Sequence, residues 1–471
     1  MNDLWDVGVT DDRFALISEM NEKCNIAVKT PVGMTDRFEV RRIEMQGTVM
    51  GPIKASVQLD TLGRDCYERQ EGLYLYNDCV FVPPLMMIDD IASFSNCGPE
   101  SIITNAIINA KIESKKFEFG PTKCFNLHIG NCRSSCHSLK VHNSPMIEKD
   151  HETYLGDVIC TSGTNNRNIV RKQNGGIGSV SQIVSMLAQI SLGHYHFEIA
   201  LVLRESMLVS KLVSSAEIWY NVTKNQYRKL EAVDEMFLMR IFKAPKSVPR
   251  LALYIECGKL PIRFIIKVRR LLYYWHVLQL DRSELVHRFY VAQSLKPIKN
   301  DWVLQIAQDK KDLGINLDDE EVRKLTLFKF KESIQKKVNL FAARYFSDIQ
   351  ARQTKTQQLE ISEIFKPASY LTSQKLTISE VQTLFLLRSR SINVKGNTSS
   401  AYEGNMWCRT CKLFPELQQH ILQCSEIRKK VNFLDVCNLR YEMIHGTDED
   451  QVKIAKVYHI LMQARADILD D

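Results

Sequence analysis

Two groups of residues in this sequence have the types and spacing that chemistry needs. The first is Asp89-Asp90, two adjacent carboxylates in the apolar run Leu85-Met86-Met87-Ile88-Asp89-Asp90-Ile91-Ala92-Ser93-Phe94. Bounded by Pro83-Pro84 and the turn Asn96-Cys97-Gly98-Pro99, the run reads as a buried strand or hairpin. Neighbouring carboxylates are costly there unless protonation or a cation relieves them. Magnesium at a hairpin tip would do so, taking carboxylate oxygens while keeping positions open for substrate phosphates. An exposed turn is the plain alternative. The second group is Cys408 and Cys411 with His420 and Cys424, spaced C-x2-C-x8-H-x3-C. Cys408 and Cys411 suit a tight knuckle, and His420 and Cys424 suit one face of a helical turn. Together they are expected to close a tetrahedron around a structural zinc with no open position. A chance cluster of buried cysteines beside a surface histidine is the alternative; Cys437 lies off the pattern.

The elements that must position these groups follow from periodicity. A helix is expected after Thr10-Asp11-Asp12, with Phe14, Leu16, Ile17 and Met20 inward. A partial strand follows over Phe38 to Met45, then a helix from Pro52 with Ile53, Val57 and Leu62 inward. Beyond the Asp-Asp hairpin, Ser101 to Lys116 reads as a helix burying Ile102, Ile103, Ala106, Ile107, Ala110 and Ile112. Cys124 to Ile129 and Tyr154 to Ile159 read as strands. This order implies an α+β layer of helices on an antiparallel sheet. After Gly175-Gly176 the pattern turns helical, with Ile177 to Leu187 and Phe197 to Ala216 as candidates. Gly258 and Pro261 mark a boundary before a helix carrying Arg263, Lys267 and Arg270 at i, i+4 and i+7. That face can lie along phosphates or can be a solvated flank of a core helix. Lys395 to Ser400 is the best linker, and Asp450 to Ala466 is a final helix.

Composition sets the outer limits. The chain has 471 residues and a net charge of +7, which permits nucleic-acid binding without requiring it. Thirteen scattered cysteines do not form a secreted disulfide framework, so a reducing, intracellular setting is expected, in nucleus or cytoplasm. No apolar run is long enough for a membrane span, and Met1-Asn2-Asp3-Leu4-Trp5-Asp6 lacks the parts of a signal peptide.

In order and residues, the first 160 positions resemble the second half of the palm of a reverse transcriptase, most closely that of a non-LTR (LINE-type) retrotransposon. Gln46-Gly47 with Gly51-Pro52 resembles the family's nucleotide- and template-contacting loop and the helix after it. Met87-Ile88-Asp89-Asp90 resembles its aromatic-x-Asp-Asp box, with Met87 at the head. Lys123 in Gly120-Pro121-Thr122-Lys123-Cys124 falls at the family's Lys-containing turn, and Tyr154-Leu155-Gly156 is similar to the primer-grip hairpin. Glu217-Ile218-Trp219 and Leu230 to Asp234 resemble the start of the helical thumb. Such polymerases commonly carry a similar Cys-Cys-His-Cys knuckle near the C-terminus.

The resemblance implies a partial palm over 1–165, a thumb over 170–257, a helical linker over 258–395, a zinc knuckle over 401–430 and a helical tail over 431–471. It gives Asp89 and Asp90 magnesium roles in RNA-templated DNA synthesis, with Lys123 neutralising triphosphate charge. RNA and DNA as template-primer, and a dNTP if the chain is active, become the expected partners; no membrane is expected. Nucleotidyl transfer uses two metals about 4 Å apart, bridged by carboxylates from separate strands. The family's upstream catalytic Asp strand and its fingers have no counterpart before Leu4. Polymerase activity by this chain alone is therefore expected to be slight or absent. A non-catalytic nucleic-acid-binding protein using the basic helix and the knuckle is the second reading, and a protein-interaction role or a genomic relic the third.

Overall fold

The computed structural model describes the chain apart from residues 1–4, 6–7, 22–23, 41–49, 77–79, 89, 97, 116, 130–138, 142–143, 300, 363, 398–405, 432–439 and 471. Gln46, Gly47, Asp89 and Cys437 lie outside the described residues. The fold is α+β: helices dominate, and the strands form small, mostly antiparallel two-stranded sheets. Two compact units divide the chain, residues 1–152 with 160–163 and 282–296, and residues 153–159 with 164–281 and 297–471. The Cys/His segment belongs to the second.

In the first unit, the helices Met50–Glu68 and Gly98–Ser114 bury Leu59, Leu62, Cys66, Ile108 and Ile112 together. The face expected for the second helix is corrected. Thr104, Ile108 and Ile112 are buried, whereas Ile102 and Ile103 are exposed. Apolar residues surround most of this helix, so periodicity does not fix its inward face. A hairpin of Leu73–Leu75 and Val80–Val82, absent from the expectations, pairs Leu73 with Val82. Val80 and Val82 pack with Ala292 of the helix Leu285–Leu295. Gly72 precedes this hairpin because a Cβ there would sit 2.3 Å from the Val82 carbonyl oxygen.

The second unit is a helical body. Helix Asn166–Gln189 lies against helix Lys224–Ile241, which Thr223 and Gln226 start with a reciprocal capping box. Gly175-Gly176, expected at a boundary, sits inside the first of these helices. A Cβ on Gly176 would lie 2.6 Å from Leu212 Cδ2 and 3.1 Å from Val233 Cγ1, so the glycine permits a close helix crossing. Phe197, Phe242 and Phe385 stack in sequence, with centroids 5.3 and 3.8 Å apart. The same core runs on through helices Ile378–Arg388 and Asp448–Asp470 to Cys408, Ile421, Cys424 and Ile427.

Candidate functional site

The four spaced ligands meet. One atom each of Cys408, Cys411, His420 and Cys424 lies within 4.8 Å of all the others. Cys408 Sγ is 3.9 Å from Cys424 Sγ, and Cys411 Sγ is 3.2 Å from His420 Nε2. Tetrahedral zinc, with bonds of about 2.3 Å to sulfur and 2.0 Å to nitrogen, separates its ligands by about 3.5 to 3.8 Å. The cluster can thus hold a metal such as zinc.

Local sequence builds the knuckle. Cys408 N–H donates to the Phe414 carbonyl at 2.8 Å, and Lys412 N–H donates to the Cys408 carbonyl at 3.0 Å. Lys412 turns the chain at φ +60, and Trp407 bridges Pro415 across the ribbon. His420 projects from the short helix Gln418–Gln423, and Cys424 sits at its junction with the helix Ser425–Lys429. The two C-terminal ligands thus come from a helix and its end rather than one uninterrupted turn. Burial raises the Cys408 thiol's pKa, but hydrogen bonds from Thr410 and the backbone of Cys411 and Thr410 outweigh it and leave it lowered. Burial also pushes His420 down, against the raising effect of Glu416, toward the neutral ring that ligation requires.

A charge cluster that the spacing did not reveal holds the knuckle from behind. Glu416, fully buried, accepts from Arg409 Nε at 2.9 Å and from Arg465 at 2.5 Å. Burial alone would raise its pKa, but Arg465 first and then Arg409 bring it below the usual value. Arg465 belongs to the final helix, 49 residues away, and nothing local in the sequence points to it. Thr410, whose Oγ1 lies 3.0 Å from Cys408 Sγ and 3.2 Å from Cys424 Sγ, is the other residue missed. Its place inside C-x2-C was the available signal.

The Asp-Asp hairpin is formed but not buried. Leu85–Met87 and Asp90–Ala92 pair antiparallel, with Met87 opposite Asp90 and Ile88 turning at φ +61. Met86 and Ile91 pack on the first unit's helices, while Leu85, Met87, Ile88 and Asp90 are exposed. The burial expected for this run is corrected: among the described residues no third strand pairs with the hairpin. Lys123 ends an exposed turn, Pro121–Lys123. Tyr154 ends the strand His151–Tyr154, and Leu155 and Gly156 make the turn into Asp157–Cys160, with Leu155 at φ +46. The Gly156 carbonyl accepts from Arg171 at 3.2 Å and Lys172 at 3.4 Å, and Lys172 pairs with Asp157 at 2.8 Å.

The basic helix face is turned to internal work. In the helix Ile262–Gln279, Arg263 makes a bidentate pair with Glu231 at 2.5 and 2.6 Å. Lys267 binds Asp309 at 2.7 Å and Asp312 at 2.6 Å, and Arg270, fully buried, binds Asp309 at 2.7 and 3.1 Å. Burial lowers the Lys267 pKa less than Asp309 and Asp312 raise it, so it stays charged. The expectation that these three cations face phosphates is corrected, because carboxylates from other helices already occupy them.

No family model matches the sequence, and no curated protein matches it. Among the described residues no helix is long and apolar enough to cross a membrane.

Proposed function

We propose that this chain is a nucleic-acid-binding protein of reverse-transcriptase descent, related to the non-LTR retrotransposon polymerases and stabilised by zinc. The observation that carries the reading is that a Met-x-Asp-Asp hairpin and a Cys3His cluster stand in one chain, in that family's order. In this reading Cys408, Cys411, His420 and Cys424 hold a structural Zn2+, which supplies fixed geometry and no reaction. Asp89 and Asp90 are the remnant of a magnesium site, and RNA or DNA is the ligand. The roles that the resemblance implies for Gln46, Gly47, Lys123 and Tyr154 to Gly156 toward template, nucleotide and primer belong to the same proposal.

One feature favours binding over polymerisation. Asp90 is exposed on a hairpin with which, among the described residues, no third strand pairs. Two-metal transfer needs a carboxylate from a further strand. Primer extension on poly(rA)/oligo(dT) with magnesium tests this. No extension above background is expected of the purified chain. Robust extension that Asp89→Asn abolishes would instead make it a working polymerase.

A further inference from the structure

A groove of about 500 Å3 in the second unit runs beside the helix His196–Leu203. The buried Phe197, Leu201 and Leu371 line it, together with Val202, which is 61% exposed. The helix continues into a π-turn, Arg204–Val209, a form that recurs at functional sites. With one exception, the polar groups around the groove are already engaged. Ser206 Oγ donates to the Val202 carbonyl at 3.0 Å, and Thr372 Oγ1 donates to the Ser369 carbonyl at 3.2 Å. Lys259 pairs with Glu205 at 3.2 Å, and the fully buried Arg204 makes a bidentate pair with Asp234 at 2.7 Å. Each of these cations is thus matched by a carboxylate. Glu198 is the exception: it lines the groove, is exposed, and among the described residues has no hydrogen bond or ion pair from its side chain.

We propose that this groove binds a small amphipathic amine, with the apolar body on Phe197, Leu201 and Leu371 and the ammonium at Glu198. Its volume falls within the roughly 300–1,000 Å3 of small-molecule sites, which are lined mainly by apolar side chains with a few polar groups that fix orientation. Ten described residues line it. A stable protein interface takes about 20–30 on each side, so the groove suits a small ligand better than a protein surface. The polar chemistry selects the head group. Both hydroxyls already donate, so what they still offer is lone pairs, and Glu198 offers only lone pairs. An ammonium brings three donors and no acceptor, and its charge answers the one carboxylate left without a partner. A carboxylate or phosphate ligand would instead meet Glu198 as a like charge. The site stands apart from the metal cluster and does not depend on the nucleic-acid reading.

The test is a fluorescence titration of the full chain with monodansylcadaverine, a naphthalene ring joined by an alkyl chain to a primary amine, beside its neutral N-acetyl derivative. The amine is expected to bind saturably with a blue-shifted emission, and about three- to fivefold more tightly than the acetyl derivative, the range of an ion pair open to water. Glu198→Gln should remove that difference and leave the affinity of the acetyl derivative unchanged. Raising the salt concentration should narrow the difference in the parent chain. Val202→Arg, which sets a long cationic side chain in the groove one turn from Glu198, should abolish binding of both probes. Glu198 and Val202 are both exposed, so neither substitution disturbs the core, and thermal melts that match the parent establish this. Absence of saturable binding overturns the proposal. Equal affinities of the two probes, or a difference that survives Glu198→Gln, also overturn it, because the cation is then not read at Glu198. Binding that survives Val202→Arg places the probe elsewhere and overturns it as well.

Discussion

Asp309 receives both Lys267 and Arg270, and neither Asp309 nor Arg270 reaches solvent. Removing one partner of such a pair leaves a buried charge uncompensated, which costs about 3–5 kcal/mol. Asp309→Ala is therefore expected to lower the urea midpoint sharply, and a loss below about 1 kcal/mol would show that Arg270 reaches water instead. His445 provides a pH signature. Burial first, then Arg388 and Arg390, push its pKa down to about 4. The ordinary unfolded value is about 6.5, so protons favour the unfolded chain between the two. Stability from this residue is complete above pH ~6.5 and is lost as pH falls toward 4. His445→Asn should lose less stability than the parent between pH 7 and pH 5 in urea titrations; equal losses would remove His445 from the account.

Two glycines of the helix Asn166–Gln189 show how neighbours decide the same residue's worth. Gly176 is pressed by Leu212 and Val233, both buried, so Gly176→Ala overpacks the crossing at a cost of about 1–3 kcal/mol. Gly178 has nothing within 4 Å of where a Cβ would stand. Gly178→Ala should stabilise the protein by up to about 1 kcal/mol, the helix-propensity difference. Thermal melts of the two variants should shift in opposite directions, and a shift of the same sign would contradict the close crossing. The element scale also shows what the sequence could and could not disclose. The Cys/His cluster was legible because its ligands span 17 residues and their spacing alone brings them together. The cations at 263, 267 and 270 were misread because their carboxylates lie 32 to 45 residues away on other helices. Gly175-Gly176 looked like a break for the same reason, since the side chains that require a glycine come from Leu212 and Val233.

Across the whole molecule, the metal cluster is a part of the second unit's core. Cys408, Ile421, Cys424 and Ile427 share that core with helices Ile378–Arg388 and Asp448–Asp470, and Arg465 ties the final helix to Glu416 behind the knuckle. With zinc bound as proposed, stripping it would leave thiolates and imidazole to repel or protonate in a buried place, and metal-binding free energy is folding free energy. Chelation, or Cys424→Ser, should therefore lower the cooperative melt of the helical signal by several degrees. A melt unchanged by chelator would confine the metal's effect to the knuckle. The α+β class was readable from element order, and the hairpin's position from its apolar run. Its exposure was not, because strand length and composition do not tell whether a third strand will cover it.

The most direct test of nucleic-acid binding by a zinc-stabilised, non-catalytic chain is a salt titration of template-primer binding by the zinc-loaded protein. The expected result is binding at low salt that weakens linearly with log salt concentration, survives Asp89→Asn with Asp90→Asn, and is lost with the metal in Cys408→Ser. Absence of binding at low salt, or binding that the paired Asp substitutions abolish, would contradict it.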